Sequence, residues 1–242
     1  MKEHREIVSR GVRYPNWNFK DSELAYTPSS FEQSFSRMVP DLRHHTEHEL
    51  ANRKGDAIGI EFGGPGGKMF RGFSKSFFKK TIGVTLSDPL GTNEDEQRLR
   101  EESRHQVVRA DITHPETYAL LCDQLNAEKA DVIFERLAGG FTENPRDAAL
   151  AIKLLSRWYD FLREDGLMLV QVPVAHNSMV AGWVRRVQSA YEDTLTVRYV
   201  QGTENGWPGK ESILYLRKRS GAPEKLPFLK DIAEKPPDQD KG

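Results

Sequence analysis

The sequence predicts a doubly wound α/β fold: a mostly parallel sheet closed by a terminal antiparallel strand pair, preceded by an N-terminal arm. Three observations predict it. Short apolar runs alternate with helical periods through most of the chain, the signature of a sheet layered with helices. Some runs, such as residues 167–172 (LMLVQV), are apolar almost throughout, as suits strands covered on both faces. The last third then changes character, with two strand-like segments joined by a short loop.

Taken in order, residues 1–40 mix Tyr14, Trp17, Phe19, Tyr26, Phe31 and Phe35 with polar residues and read as an arm or lid. Thr27-Pro28-Ser29-Ser30 predicts a helix start, with Ser29 or Ser30 as the capping acceptor. The main domain is expected over residues 41–219, beginning with a helix within 40–53. Residues 56–62 form the first predicted strand, 63–67 a turn, and 68 to about 78 a helix. A second strand is predicted at 82–86, a charged helix at 94–104 and a third strand at 107–110. The helix at 115–127 presents Tyr118, Leu121, Cys122 and Leu125 on or near one face. A fourth strand at 131–134 precedes a helix from about 145 to 163, whose Leu150, Leu154, Trp158, Phe161 and Leu162 recur at helical spacing. A fifth strand at 167–172, a helix at 178–191 and strands at 194–201 and 212–217 complete the domain. Residues 220–242, rich in Pro, Lys, Glu and Asp, are expected to be a flexible tail.

Composition bounds the function. A chain of 242 residues buries enough apolar surface to fold as one domain. A formal net charge of −1 gives no field that would draw it to nucleic acid or an anionic membrane, so a small-molecule partner is expected. The single cysteine, Cys122, cannot close an intrachain disulfide, which fits a reducing compartment. No stretch reaches the ~18 apolar residues of a membrane span, and the first residues lack a signal-peptide core, so a cytoplasmic location is expected. His44 and His48 stand one helical turn apart, a chelating spacing, but no third ligand accompanies them and no metal is expected.

Ligands of doubly wound sheets bind at the carboxyl ends of strands, so the strand ends carry the question of function. The first ends in Glu61-Phe62-Gly63-Gly64-Pro65-Gly66-Gly67, a loop whose glycines allow close approach of a ligand. A Walker A loop requires glycine at Phe62 and Ser or Thr at Met69, and fails on both. A dinucleotide loop counted from Gly64 lacks its last glycine, again at Met69. An acidic-x-G-x-G-x-G pattern remains, with Pro65 at its middle glycine.

In that form residues 58–67 resemble motif I of the class I S-adenosylmethionine-dependent methyltransferases. Glu61 stands at the acidic position, and Gly63 and Gly67 at the first and third glycines. Gly83-Val84-Thr85-Leu86-Ser87 is similar to the second motif, with Thr85 where an acid commonly grips the ribose and Asp88 nearby. Asp111 resembles the acid that contacts the adenine amino group, and Ile112 would lie against the ring. Residues 131–136 (DVIFER) resemble motif IV, and 162–170 the segment leading into strand five. The resemblance implies S-adenosyl-L-methionine as cofactor, held by Glu61, Gly63, Gly64, Pro65, Gly67, Thr85, Leu86, Ser87, Asp111, Ile112 and Glu135. A base, where the acceptor needs one, would come from His176 or Glu135, with Arg136 and Asn177 beside them. The Asn-Pro-Pro-aromatic run of amino-group nucleic-acid methyltransferases is absent after Phe134, which points to a small-molecule acceptor. The N-terminal aromatics and Trp207 are candidates to line its pocket. Two other classes stay open: a non-catalytic binding module on the same fold, favoured by Pro65 and Thr85, and an NAD(P)-dependent oxidoreductase.

Overall fold

The computed structural model describes residues 28–64, 67–74, 76–85, 104–135, 148–172, 177–202 and 212–230. Helix α1 spans Pro28–Phe35. Proline suits a first helical position, so Ser29 and Ser30 lie inside the helix rather than capping it. Helix α2, Leu42–Glu49, is capped by Asp41, whose Oδ1 accepts from the His44 amide at 2.9 Å. A 3₁₀ turn over Ala51–Arg53 then leads into strand β1, Ala57–Phe62, buried along its whole length.

The next helix, α3, covers only Gly67–Arg71, and strand β2 already begins at Phe78, running to Thr85. The helix expected to reach residue 78 stops early for a packing reason. Phe70 and Phe73 set their rings edge-on against Phe78, with centroids 5.1 and 5.0 Å away, and Phe77 does the same at 5.0 Å. Phe78 must therefore lie on the sheet, which takes Lys79, Lys80 and Thr81 into the strand. Gly59 of β1 makes room for this cluster, because a Cβ there would come 2.4 Å from the Phe70 ring.

Strand β3 is His105–Arg109, helix α4 Pro115–Gln124 and strand β4 Ala130–Glu135. Tyr118, Leu121 and Leu125 are buried as expected, whereas Cys122 is exposed. Helix α5, Ala148–Phe161, runs directly into strand β5, Leu162–Val172, which starts five residues before the expected 167. A bulge accounts for the difference. Ala130 pairs with Leu162 but Val132 with Leu167, and Asp165 turns through a φ of 62° between them. Helix α6, Asn177–Tyr191, precedes strands β6, Leu195–Val200, and β7, Ser212–Lys218. The charged helix expected at 94–104 lies outside the described residues, apart from Arg104.

The strand order is β3-β2-β1-β4-β5-β7-β6. The first five strands are parallel, while β7 pairs antiparallel with both β5 and β6. This is the expected doubly wound, mostly parallel sheet closed by an antiparallel pair, and the order reverses between β1 and β4. One face packs Ile58, Ile60 and Phe62 of β1 against α4, α5 and α6 through Leu121, Trp158 and Trp183. The other packs Phe134, Leu169 and Ile213 under α1, α2 and α3 through Phe31, Leu42 and Phe70.

Residues 220–230, expected to start a solvated tail, are fastened to the first of these faces. Leu226 is buried, Tyr159 Oη donates to the Pro223 carbonyl at 2.6 Å, and Trp183 Nε1 donates to the Pro227 carbonyl at 2.8 Å. The apolar residues Leu226, Phe228 and Leu229 supply the burial that the Pro- and Lys-rich composition hides. Among the described residues no helix is long and apolar enough to cross a membrane.

Candidate functional site

The best-defined strand end follows β3. Asp111 is 1% exposed, and its side chain closes a turn on its own backbone. Oδ1 accepts from the Thr113 amide at 2.8 Å and from Thr113 Oγ1 at 2.7 Å. The three carbonyls of the turn are each held. Thr117 Oγ1 donates to Asp111 O at 2.5 Å, Tyr118 Oη to Ile112 O at 2.8 Å, and Arg157 Nη1 to Thr113 O at 3.1 Å. The Arg157 guanidinium also lies 4.8 Å above the Tyr118 ring, tying α5 to α4 over the turn. Burial pushes the Tyr118 phenol well above its ordinary pKa, against the pull of Arg157, so the hydroxyl keeps its proton and stays a donor.

One atom of this assembly is left over. Asp111 Oδ2 is buried without a hydrogen-bond partner. A buried acceptor left unmade costs about 1–3 kcal/mol, and here its direction is fixed by the bonds on Oδ1. The turn thus holds one acceptor atom in a fixed direction with no donor against it.

The other site residues gather around the reversal in strand order. Glu61, wholly buried, ends β1 on the same face as Gly59 and is paired in register with Gly83. Thr85, two residues beyond Gly83, lies on that face too and is buried. Gly63 turns the chain at a φ of 82°, open to glycine and strained for other residues, and its amide donates to the Val84 carbonyl at 2.9 Å. Gly64 then forms a bridge to Val84, which fixes the loop across the ends of β1 and β2. Gly67 is buried at the start of α3. That helix is only five residues long, so it sums few peptide dipoles and adds little to anion binding.

Ile112 packs into the large core beneath the Asp111 turn. Glu135 is buried at the end of β4, but alternation turns it to the opposite face from Glu61, with Phe62 and Val170 in register beside it. Pro65, Leu86, Ser87, Asp88, Arg136, His176 and Trp207 lie outside the described residues, and so does the Asn177 side chain. Among the described residues no group of three or more His, Cys, Asp or Glu could hold a metal ion. His45, between His44 and His48, instead lies 3.4 Å from the Tyr215 hydroxyl.

The sequence singles out Asp111 as a candidate but not the residues that fix its turn. Thr113 had a legible signal, since Asp-x-Thr is a common self-bonding turn. Arg157, 44 residues from Thr113, had none. Gln171, between Val170 and Val172 near the end of β5, reads in the sequence only as part of an apolar strand.

No family model and no curated protein matches this chain. Solved structures similar to it include an rRNA methylase from Streptococcus thermophilus, 14% identical over 75% of this chain and 99% of that one, with a TM-score of 0.45. The N-methyltransferase NodS from Bradyrhizobium japonicum WM9 is 14% identical over 75% of this chain and 98% of its own, with a TM-score of 0.43. A precorrin-6y C5,15-methyltransferase from Geobacter metallireducens GS-15 is 14% identical over 74% of this chain and 88% of its own, also with a TM-score of 0.43. The strand order carries the fold by itself, and nothing about the site rests on these likenesses.

Proposed function

We propose that the chain is an S-adenosyl-L-methionine-dependent methyltransferase acting on a small molecule. One observation carries the reading: the unpartnered Asp111 Oδ2, held in a braced turn at the carboxyl end of a parallel strand. It fits the adenine amino group, a neutral donor that satisfies a buried acceptor without bringing a charge. Glu61 would add a buried carboxyl at the mouth of β1, complementary to a cationic ligand, and Gly63 and Gly64 would let the backbone approach it. Thr85 offers a hydroxyl to the ribose in place of a carboxylate.

The cofactor's sulfonium supplies the activated methyl group when bound. The chain's own contribution is orientation and exclusion of water. The Asp111 turn anchors one end of the ligand through a single fixed acceptor, and Glu61, one strand beyond β2, fixes its distance from the reversal point. The acceptor then has to meet the methyl in line, which is a matter of alignment more than of covalent assistance. His176 and Glu135 remain the proposed bases for an acceptor that must lose a proton. The near-neutral charge and the absence of an Asn-Pro-Pro-aromatic run after Phe134 favour a small-molecule acceptor.

The test is Asp111→Asn against S-adenosylhomocysteine by calorimetry. The amide keeps the shape, but with Oδ1 still bonded to Thr113 it sets an N–H₂ donor against the adenine amino group. Affinity is expected to fall by about tenfold or more. Equal affinity in wild type and variant removes Asp111 from the site.

A further inference from the structure

Among the described residues, Gln171 is a buried side chain with neither of its polar atoms hydrogen-bonded. It is 1% exposed, and neither Oε1 nor Nε2 has a hydrogen-bond partner. Its backbone is committed to the sheet, in register with Ile213 of β7. Alternation along β5 gives its direction. Met168, Val170 and Val172 belong to the apolar layer under α4, α5 and α6, whereas Leu167 and Leu169 belong to the one under α1, α2 and α3. Gln171 therefore faces the second layer, the face that also carries Glu61 and Thr85.

The core cluster on that face is apolar. Leu169 precedes Gln171 by two residues and Phe134 pairs with Leu169. Phe31 of α1 sets its ring edge-on to Phe134 at 5.8 Å and touches Phe35 at 4.7 Å. A methionine would fill such a place at no cost in hydrogen bonds, while a primary amide forfeits both a donor and an acceptor there. An unmade amide is strongly unfavourable in a core that offers an apolar alternative. Its position says what it is for: two strands from Glu61, past the last β4–β5 pair at Val170, it lies where a second ligand would meet one anchored over β1.

We infer that Gln171 binds the methyl acceptor, and that the acceptor presents a lactam or carboxamide edge, an N–H beside a C=O in one plane. A primary amide offers the complementary pair, Oε1 to the N–H and Nε2 to the C=O, and the apolar layer on that face, to which Phe31 and Phe134 belong, suits a planar group. The inference rests on the methyltransferase reading for the word acceptor, but not for the binding site itself.

The probe is 2-pyridone, a planar cis-lactam, with N-methyl-2-pyridone as the analogue lacking the donor. Binding is followed by ligand-observed NMR with and without S-adenosylhomocysteine, for wild type and Gln171→Met, an unbranched replacement of equal length. Wild type is expected to bind 2-pyridone, and the N-methyl analogue at least about tenfold more weakly. Gln171→Met is expected to lose that discrimination, keep its affinity for S-adenosylhomocysteine, and melt no lower than wild type, since no bond is removed. Equal binding of the two pyridones, discrimination that survives in the variant, or a lowered melting temperature overturns the inference. Uridine carries the same edge, and a decauridylate strand is expected to compete no better than the monomer. Competition by the strand alone overturns a small-molecule source. Should S-adenosylhomocysteine fail to bind wild type while the pyridone discrimination stands, the cofactor reading falls and the Gln171 site remains.

Discussion

At the scale of single residues, the two oxygens of Asp111 are treated differently. Thr113 satisfies one through both its amide and its hydroxyl, and so fixes where the other looks. Thr113→Val keeps the shape and the amide bond but removes the hydroxyl. The carboxylate gains rotational freedom, and one hydrogen bond worth about 0.5–1.5 kcal/mol is lost. S-adenosylhomocysteine affinity is expected to fall severalfold, less than for Asp111→Asn, and calorimetry on the two variants gives the ranking. An affinity loss as large as that of Asp111→Asn would mean that Thr113 itself touches the ligand. The acid was legible in the sequence because it follows a strand. The support from Tyr118 and Arg157 was not, because a contact between α5 and a turn before α4 depends on tertiary packing.

At the scale of elements, the sheet is anchored at the end opposite the candidate site. Asp131, wholly buried at the start of β4, reaches across to β1, where its Oδ2 accepts from the Ile58 amide at 2.8 Å. Its Oδ1 accepts from Arg53 Nε at 2.9 Å and Arg163 Nη1 at 3.1 Å, so one carboxylate joins β1, β4, β5 and the 3₁₀ turn. Asp131→Ala strands a buried amide and removes a carboxylate that two partly exposed arginines share. A loss of about 3–4 kcal/mol is expected in urea unfolding, with S-adenosylhomocysteine affinity unchanged. A loss below about 1 kcal/mol would show that the carboxylate is replaceable by water at that end. In the sequence residue 131 opens the fourth strand and the motif IV resemblance, and nothing there signals its ties to β1 and β5. The same scale holds the errors at β2 and β5. A helical period through Phe70, Phe73 and Phe77 masked an aromatic cluster that draws Phe78 onto the sheet. The Glu164-Asp165-Gly166 turn hid a bulge that starts β5 early.

At the scale of the whole molecule, the alternation of strands and helices was legible because both faces of the sheet are covered, and covered strands write continuous apolar runs. The terminal pair was legible for the opposite reason, since β6 at the sheet edge alternates buried Leu195 and Val197 with more exposed neighbours. The packing of residues 220–230 was not, because three apolar residues among prolines and lysines leave no period to read. The same architecture serves binding modules and oxidoreductases, so the fold alone leaves the activity open. An adenosyl ligand is proposed at the carboxyl ends of β1, β2 and β3, and thermal unfolding of the full chain with S-adenosylhomocysteine or NADPH tests this most directly. At a hundred times its dissociation constant, a ligand specific to the native state raises the melting temperature of a chain this size by about 5–10 °C. That shift is expected with S-adenosylhomocysteine and absent with NADPH. A shift with NADPH alone, or with neither at millimolar concentration, would contradict the account.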